Sequence, residues 1–590
     1  MPTHEIFDLA VFQDRIILGS KQSYISGEKI ALLEISRPTC EFIVRHDVMP
    51  LSGYERYITM CYGIFGVINL LAGPYLIIIT GRDLVGDVHN HQIWRITTHE
   101  IIPVFHSARS LSSKQSEFNS RYLSMVRNVL SSPGFYYSPS LDITHSIQRV
   151  YCFPRGSSSL SLFARADARF LWNHFLLKDL SEVEGADDFC IPIILGFVAI
   201  KQCHIKSRSF KLMLISRRSS QRVGVRYYTR GLDGEGNAAN YVETEQILLL
   251  ETIQSSFVQT RGSVPLLWSQ APNLRYKPSP VLGLDNQTVG FSKHFAEQIS
   301  TYNQQHVINL LDNKGYEKML SDNYKMQVDD CGLAISYIHF DFHKECSKLR
   351  WHNLYKLMDM LERKQEEMGY FFQAGNSTNA TLQHGTFRTN CIDCLDRTNV
   401  VQSMLARRSL LTVLHSVNVL QEGERLDLHP EFEFVFKNMW ADHADVLAIQ
   451  YTGTKALKTD YTRTGKRSLP GMLRDGYNSC IRYVYNNFND GFRQDSLDLF
   501  VGNYQVRPAE GSVSNPSPFD TKLSYTQILA PTSLIILSSL LFITLILPST
   551  NTSLQLAYVL FWGLGVSVSL LYILSNGKQF VNKPVLYRKD

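Results

Sequence analysis

The chain has little of what marks several common protein classes. Its ten cysteines are spread over 590 residues, too sparsely for a disulfide framework, which points to a reducing compartment. The net charge is only +5, a mild basic excess that suits an anionic membrane surface; no nucleic-acid partner is expected. Neither internal repeats nor low-complexity tracts are found. Met1-Pro-Thr-His-Glu5 lacks the basic-then-apolar pattern of a cleaved leader, so none is expected. The largest absence is of charge. From Leu523 to Gly577, fifty-five residues carry none.

Two apolar runs fill that interval, Ile528 to Leu547 and Leu554 to Leu574. Each is long enough to cross a hydrocarbon core as a helix, and the polar turn Pro548-Ser-Thr-Asn-Thr-Ser553 separates them. Lys522 precedes the first run, and Lys578, Lys583, Arg588 and Lys589 follow the second. The positive residues predict that the large amino-terminal part and the tail are both cytosolic. Pro531, near the start of the first run, is tolerated there. A further uncharged stretch, Tyr57 to Gly81, is split by Gly73-Pro74 into pieces too short to span. It reads as a buried helix followed by a central strand, Tyr75 to Thr80.

What is present is concentrated in Arg388-Thr-Asn-Cys391-Ile-Asp393-Cys394-Leu-Asp396-Arg397-Thr398-Asn-Val400. A cysteine and an arginine stand five residues apart, with a strand pattern leading in (Gly385 to Asn390) and a helix pattern leading out (Thr398 to Leu411). A loop of that length can turn several backbone N–H groups inward as an anion nest, and the following helix adds its free N–H groups and positive dipole end. The same field lowers the pKa of a thiol. Ile392, Cys394, Leu395 and Asp396 supply the loop backbone around a phosphate. Arg397 can hold two phosphoryl oxygens at once, and Thr398 can donate its hydroxyl to the sulfur.

The chemistry predicted is a double displacement through a phosphocysteine on Cys391. Asp393 is the preferred general acid and Asp396 the alternative. No metal and no cofactor is required. The spacing alone leaves other readings open: Cys391-x-x-Cys394 also fits a redox pair or half a zinc site, although no second ligand pair stands at zinc spacing.

Cys391-Ile-Asp-Cys-Leu-Asp-Arg-Thr-Asn399, preceded by Arg388-Thr-Asn390, resembles the signature of the Sac-domain phosphoinositide phosphatases. Arg169-Phe-Leu-Trp-Asn173, Arg226-Tyr-Tyr-Thr-Arg-Gly231, Asn240 to Gln246, Gly262 to Gln270 and His339 to His343 resemble further family motifs in the family's order, over roughly the whole chain. Within the family the terminal hairpin is similar to that of the integral-membrane member of the endoplasmic reticulum and Golgi. The resemblance implies hydrolysis of phosphatidylinositol monophosphates, chiefly the 4-phosphate, with phosphoinositide lipids as partners and contact-site or trafficking proteins as further ones. A protein tyrosine or dual-specificity phosphatase and a non-catalytic lipid-binding tether are the alternatives.

The fold expected is an α/β cysteine-phosphatase-type core with a strand-rich amino-terminal domain and a carboxy-terminal transmembrane helical hairpin. The divisions are 1–115 (strand-rich), 116–450 (catalytic), 451–522 (basic region and flexible tether), 523–577 (two spans) and 578–590 (cytosolic basic tail). Strands are predicted at Ile193 to Lys201 and Phe210 to Ser216. Helices are predicted at Phe170 to Leu180, Asn303 to Leu320 and Trp351 to Met368. The run Thr452 to Arg467 reads equally as a solvated loop or as a lipid-attracted one. Asn503 to Thr521, rich in Pro, Ser and Gly, reads as a tether reaching on the order of 60 Å.

His339, Asp341 and His343 alternate on a predicted strand with Phe340 and Phe342, and read as structural rather than metal-binding. Arg388 either strengthens the field at the loop or pairs with a carboxylate. His384 is undecided, and Arg226 and Arg230 are equally headgroup or folding residues. The glycosylation patterns at Asn286, Asn376 and Asn379 are expected on the cytosolic side and unmodified, and Asn551 is too near the bilayer for efficient modification.

Overall fold

In the computed structural model, the structure describes all residues except 1–5, 21–29, 51, 107–110, 155, 157–158, 348–349, 376–378, 465, 521–523, 548–550 and 587–590. Lys522, the start of the hairpin turn, Arg588, Lys589 and the Asn376 pattern therefore lie outside the described residues.

Alternating apolar residues at the amino end build an antiparallel sheet from β1 (Phe7–Val11), β2 (Arg15–Ser20), β3 (Ile30–Ser36), β4 (Phe42–Asp47) and β5 (Arg56–Cys61), in the order β4-β3-β2-β1-β5. The chain then passes to a second sheet through β6 (Ile64–Leu70), β7 (Gly73–Val88), β8 (His91–Pro103), β9 (Phe135–Tyr137), β10 (Ile194–Ile205), β11 (Arg208–Arg218), β12 (Val242–Leu250) and β13 (Ile253–Arg261). The strands β14 (Gln304–Asn309), β15 (Ile335–His339), β16 (Phe371–Ala374) and β17 (Gly385–Asn390) complete it. Among the described residues its order is β15-β14-β17-β13-β12-β11-β10-β9-β8-β7-β6, with β16 beside β13. The expected division at residue 115 thus cuts through one continuous sheet.

Three expectations are corrected by these strands. The stretch after Tyr57 holds no helix: β6 and β7 form a hairpin, with Leu70 opposite Gly73. At Gly66 a Cβ would lie 2.2 Å from the Cβ of Leu176, so only glycine lets β6 approach the short helix His174–Ser181 that closely. Residues 303–320 are not a continuous helix either. The preceding helix ends at Asn303, whose φ of 59° breaks it, and Gln304–Asn309 becomes a buried strand. The strand through His339 stops there, and Asp341 caps the turn Phe342–Glu345 by accepting the Lys344 N–H. The expected strands at 193–201 and 210–216 are the longer β10 and β11, and the helix expected from Phe170 is reduced to His174–Ser181.

The longer helices are α1 (Ser113–Leu130), α2 (Gln287–Tyr302), α3 (Lys318–Asp330), α4 (Leu354–Met368), α5 (Asp396–Ser416), α6 (Pro430–Thr452), α7 (Leu469–Phe488), α8 (Asp490–Phe500), α9 (Tyr525–Ile546) and α10 (Thr552–Ser575). Leu357 and Leu361 of α4, Leu405 and Leu410 of α5, and Phe436 and Trp440 of α6 pack on Phe257, Ile308 and Phe387 in one buried cluster. Burial of such side chains contributes about 1.5–3 kcal/mol each. It holds α5 against the sheet immediately after β17.

The helices α9 and α10, of 22 and 24 residues, are long and apolar enough to cross a membrane by length and composition, and their side chains are largely exposed. The segment before them is not a free tether. Tyr504, Glu510, Ser517 and Phe519 are buried, and the Glu510 carboxylate accepts from Tyr122 Oη of α1 (2.5 Å), Tyr504 Oη (2.6 Å) and Ser517 Oγ (3.0 Å). A buried carboxylate keeps its place only with such partners, so residues 503–520 form a strap on α1 and the expected reach is lost. The tail after α10 also returns. Asn582 N–H donates to Asn487 O (2.7 Å), Asn582 Oδ1 accepts from Phe492 N–H, and the N–H groups of Val585 and Leu586 donate to Asp495 at the start of α8's second turn.

Candidate active site

β17 lies between β13 and β14 and is parallel to both. All six of its residues are buried. Its carboxy-terminal end opens on the loop Cys391–Leu395, and α5 begins at Asp396. A loop between a parallel strand and a helix is where open α/β sheets bind ligands.

The loop contains no glycine, and Cys394 takes a left-handed backbone with φ 53°. That turn brings its own N–H to 3.1 Å from Cys391 Sγ. Thr398 Oγ1 donates to the same sulfur at 3.5 Å. Burial alone would push the Cys391 thiol up; hydrogen bonding from Cys394, the charge of Arg397 and the Thr398 hydroxyl outweigh it and bring it from 9.0 to about 6. Above that pH the sulfur is a thiolate, the form that acts as nucleophile. Cys394 goes the other way: burial and the neighbouring Cys391 raise its thiol well above the ordinary value, and its Sγ donates to Gly262 O at 2.7 Å.

The two loop carboxylates differ. Asp393 is clamped by Arg226 through two parallel bonds (Nε–Oδ1 3.0 Å, Nη2–Oδ2 2.7 Å) and by Arg230 (Nη2–Oδ1 2.7 Å). Burial raises its pKa, but the two guanidinium groups overcome this and hold it far below the usual carboxylate range. An ionised carboxylate has no proton to give, so the preference for Asp393 as general acid is corrected on this ground. Asp396 accepts the Leu457 N–H at 3.0 Å, and burial raises its pKa despite that bond and the charge of Arg482.

Arg397 is fixed from outside the loop. Its Nη1 donates to Leu310 O (2.9 Å), Asp312 (3.1 Å) and Glu317 (3.1 Å), and its Nη2 to Glu317 Oε1 (2.9 Å). Glu317 is itself buried. Arg230 also donates to Ile392 O (2.9 Å), which ties the first half of the loop to the β11–β12 connection.

Of the residues singled out from the sequence, Cys391, Ile392, Asp393, Leu395, Asp396 and Arg397 line one cavity of about 620 Å³, within the roughly 300–1,000 Å³ of small-molecule sites. Cys394 and Thr398 do not line it and act on the sulfur from behind. Arg388 is elsewhere: buried, it donates from Nε to His294 Nε2 (2.9 Å) and from Nη2 to Ser263 O (2.8 Å), so its expected place at the phosphate is corrected to a structural one. Arg226 and Arg230, read as undecided, are the clamps on Asp393. Tyr276, Lys277, Tyr316, His343, Lys458 and Arg482 complete much of the wall. Neither Glu317 nor Arg261 was visible as a site residue in the sequence. Arg261 is a buried cation near Cys391 and Cys394, with its terminal nitrogens lacking a hydrogen-bond partner among the described residues. The only signal for it was its place immediately before the singled-out segment Gly262 to Gln270. Among the described residues no group of three or more His, Cys, Asp or Glu is arranged to hold a metal.

A model of the SacI homology domain matches residues 62–347, which stops short of the loop. Whole-chain relatives extend across it. Phosphatidylinositol-3-phosphatase SAC1-B of Danio rerio is 45% identical over 590 residues, covering 100% of this chain and 99% of the relative. Phosphatidylinositol-3-phosphatase SAC1 of Drosophila melanogaster is 41% identical, covering 98% of each. The SAC1 protein of Saccharomyces cerevisiae, bearing the same phosphatase name, is 37% identical over 92% of this chain and 87% of its own length.

Proposed function

The chain belongs to the Sac-domain phosphoinositide phosphatases, and from that footing we propose that it is membrane-anchored and hydrolyses phosphatidylinositol monophosphates through a phosphocysteine on Cys391. The observation that carries this reading is the Cys391 sulfur held under the Cys394 N–H and the Thr398 hydroxyl, in a cavity also lined by Arg397 and Asp396.

The Cys391 thiolate attacks phosphorus. An S–P bond forms, the P–O bond to the inositol ring breaks, and the departing alkoxide takes the proton of Asp396. Water then attacks the phosphocysteine, giving its proton to the Asp396 carboxylate. The S–P bond breaks, phosphate leaves and the thiolate returns. Arg397, its plane set by Glu317, faces the developing negative charge on the phosphoryl oxygens. Asp393 shapes the loop through its arginine clamp.

The 4-phosphate is taken as the chief substrate on the strength of the resemblance, whereas the names of the relatives specify the 3-phosphate. Phosphate release from each monophosphate isomer in vesicles ranks them. Equal or greater turnover of phosphotyrosine peptides would replace the lipid reading with the protein-phosphatase one. Membrane anchoring is supported by the length and apolar composition of α9 and α10, and a shared side for both ends of the hairpin is supported by the contacts of the tail with α7. Residence in the endoplasmic reticulum and Golgi, with a cytosolic catalytic unit and tail, follows from the same resemblance. Fluorescence microscopy of the full chain against compartment markers tests it.

A further inference from the structure

The helix α7 presents an apolar face to the outside. Leu469 (65% exposed), Met472, Leu473 (69%), Tyr477 (68%), Val484 and Phe488 are all open to solvent, as are Gly476 and Cys480 between them. At 100° per residue these eight positions fall within roughly 160° of arc, and none carries a charge. A helix bordering water normally shows polar residues on its outer face, and an apolar one marks a binding surface. The side of α7 adjoining this face is already used: Ser479, Arg482, Tyr483 and Asn486 line the active-site cavity.

The position of α7 identifies what covers the open face. At its carboxy-terminal end Tyr483 Oη donates to Leu274 O (2.8 Å), and Asn487 Oδ1 accepts from Leu274 N–H (3.1 Å). Leu274 packs in turn against Ile573 of α10 and Val581, with Ala530 and Leu534 of α9 beside them. Gly577, just beyond α10, lies so close to Asn273 that a Cβ there would be 2.1 Å from its carbonyl oxygen. One end of α7 is therefore seated on the base of the apolar hairpin. Twenty residues carry it about 30 Å away from that base. Exposed Lys455, Lys458, Lys466 and Arg474 flank it, the charge pattern of a helix lying on an anionic lipid surface.

We propose that α7 lies in the interface of the bilayer its own hairpin crosses, with the 469–488 face in the headgroup–acyl boundary and the cavity mouth held at headgroup level. This rests on the hairpin reading. One helix would then serve as membrane float on one face and active-site wall on the adjoining one.

The test uses the full chain in vesicles of phosphatidylcholine and phosphatidylserine. In a Cys391→Ser background, an environment-sensitive fluorophore is placed on Cys480 with Cys152→Ser, on Cys152 with Cys480→Ser, or on Leu560→Cys with both exposed thiols replaced. Doxyl-labelled lipids should quench the probes at 480 and 560 and spare the one at 152. Quenching at 560 without 480 overturns this proposal alone; quenching at neither removes the hairpin reading as well. A probe at 480 shielded from aqueous iodide but not reached by lipid quenchers assigns the face to a second copy or a protein partner, and also overturns it. In the active enzyme, Leu473→Glu with Tyr477→Glu should lower kcat/KM on bilayer phosphatidylinositol 4-phosphate about tenfold, while turnover of a water-soluble short-chain analogue stays unchanged. Equal loss on both substrates would mean that the helix is merely structural.

Discussion

The two halves of the catalytic loop carry the same residue type to opposite ends. Asp393 and Asp396 are three positions apart and both border the cavity, yet the first is held as an anion by Arg226 and Arg230, while the second meets a single backbone N–H and is pushed toward its acid form. The difference comes from what lies outside the loop. The β11–β12 connection clamps one half with two guanidinium groups, whereas the segment after α6 gives the other a backbone N–H and only the more distant charge of Lys458. A carboxylate in a phosphatase loop is therefore not an acid by position. Its neighbours decide whether it holds the loop or moves a proton.

Substitutions can sharpen or break that contrast. The largest effect belongs to the sulfur between the halves: Cys391→Ser should lower kcat by at least about 10⁴-fold, with membrane insertion intact by carbonate extraction. Asp396→Asn should cost roughly 10²–10⁴-fold on the lipid but far less on an aryl phosphate, whose leaving group needs no proton. If that rescue appears in Asp393→Asn instead, the two roles are reversed. For Asp393→Asn the expected signature is thermal: leaving two buried guanidinium groups without their anion costs on the order of 3–5 kcal/mol, read as a lowered Tm of the detergent-purified chain, with loss of activity on lipid and aryl phosphate alike.

The pH profile provides the next test. With Cys391 at about 6, kcat/KM should rise as pH passes upward through that value, and fall again where Asp396 loses its proton. Removing a donor to the thiolate disfavours the charged form, so Thr398→Val should move the acid limb to higher pH, by about one unit for a bond worth roughly 1.4 kcal/mol. The smallest change is expected at Glu317→Gln, which keeps the shape but drops the charge facing Arg397. About tenfold in kcat, with the acid limb unmoved, would mark Glu317 as a positioning residue.

Much of this arrangement was legible before any coordinates. The strand Gly385–Asn390 and the helix after it are where the spacing put them, and the cysteine, arginine and threonine meet as expected. Which loop carboxylate is held as an anion was not legible, because that depends on Arg226 and Arg230, more than 160 residues away. β14 was hidden because a strand buried in a parallel region shows no alternation. The strap at 503–520 looked like a linker because Tyr504, Glu510 and Phe519 are few among Pro, Ser and Gly, yet those few anchor it. α7 was missed although its signal was present: Ser468 caps it by accepting the Gly471 N–H, Pro470 stands in its first turn, and apolar residues recur at 469, 473, 477, 480, 484 and 488.

The docked tail has a consequence for how the protein is made. Asn582, Val585 and Leu586 fill places on α8 and beside Tyr228, whose hydroxyl donates to Asn582 O, and they follow α9 and α10 in the chain. Every earlier part of the catalytic unit must wait for them with those places vacant. Both apolar helices are synthesised before this segment arrives, so completion of the catalytic unit waits until the pair of helices has been made.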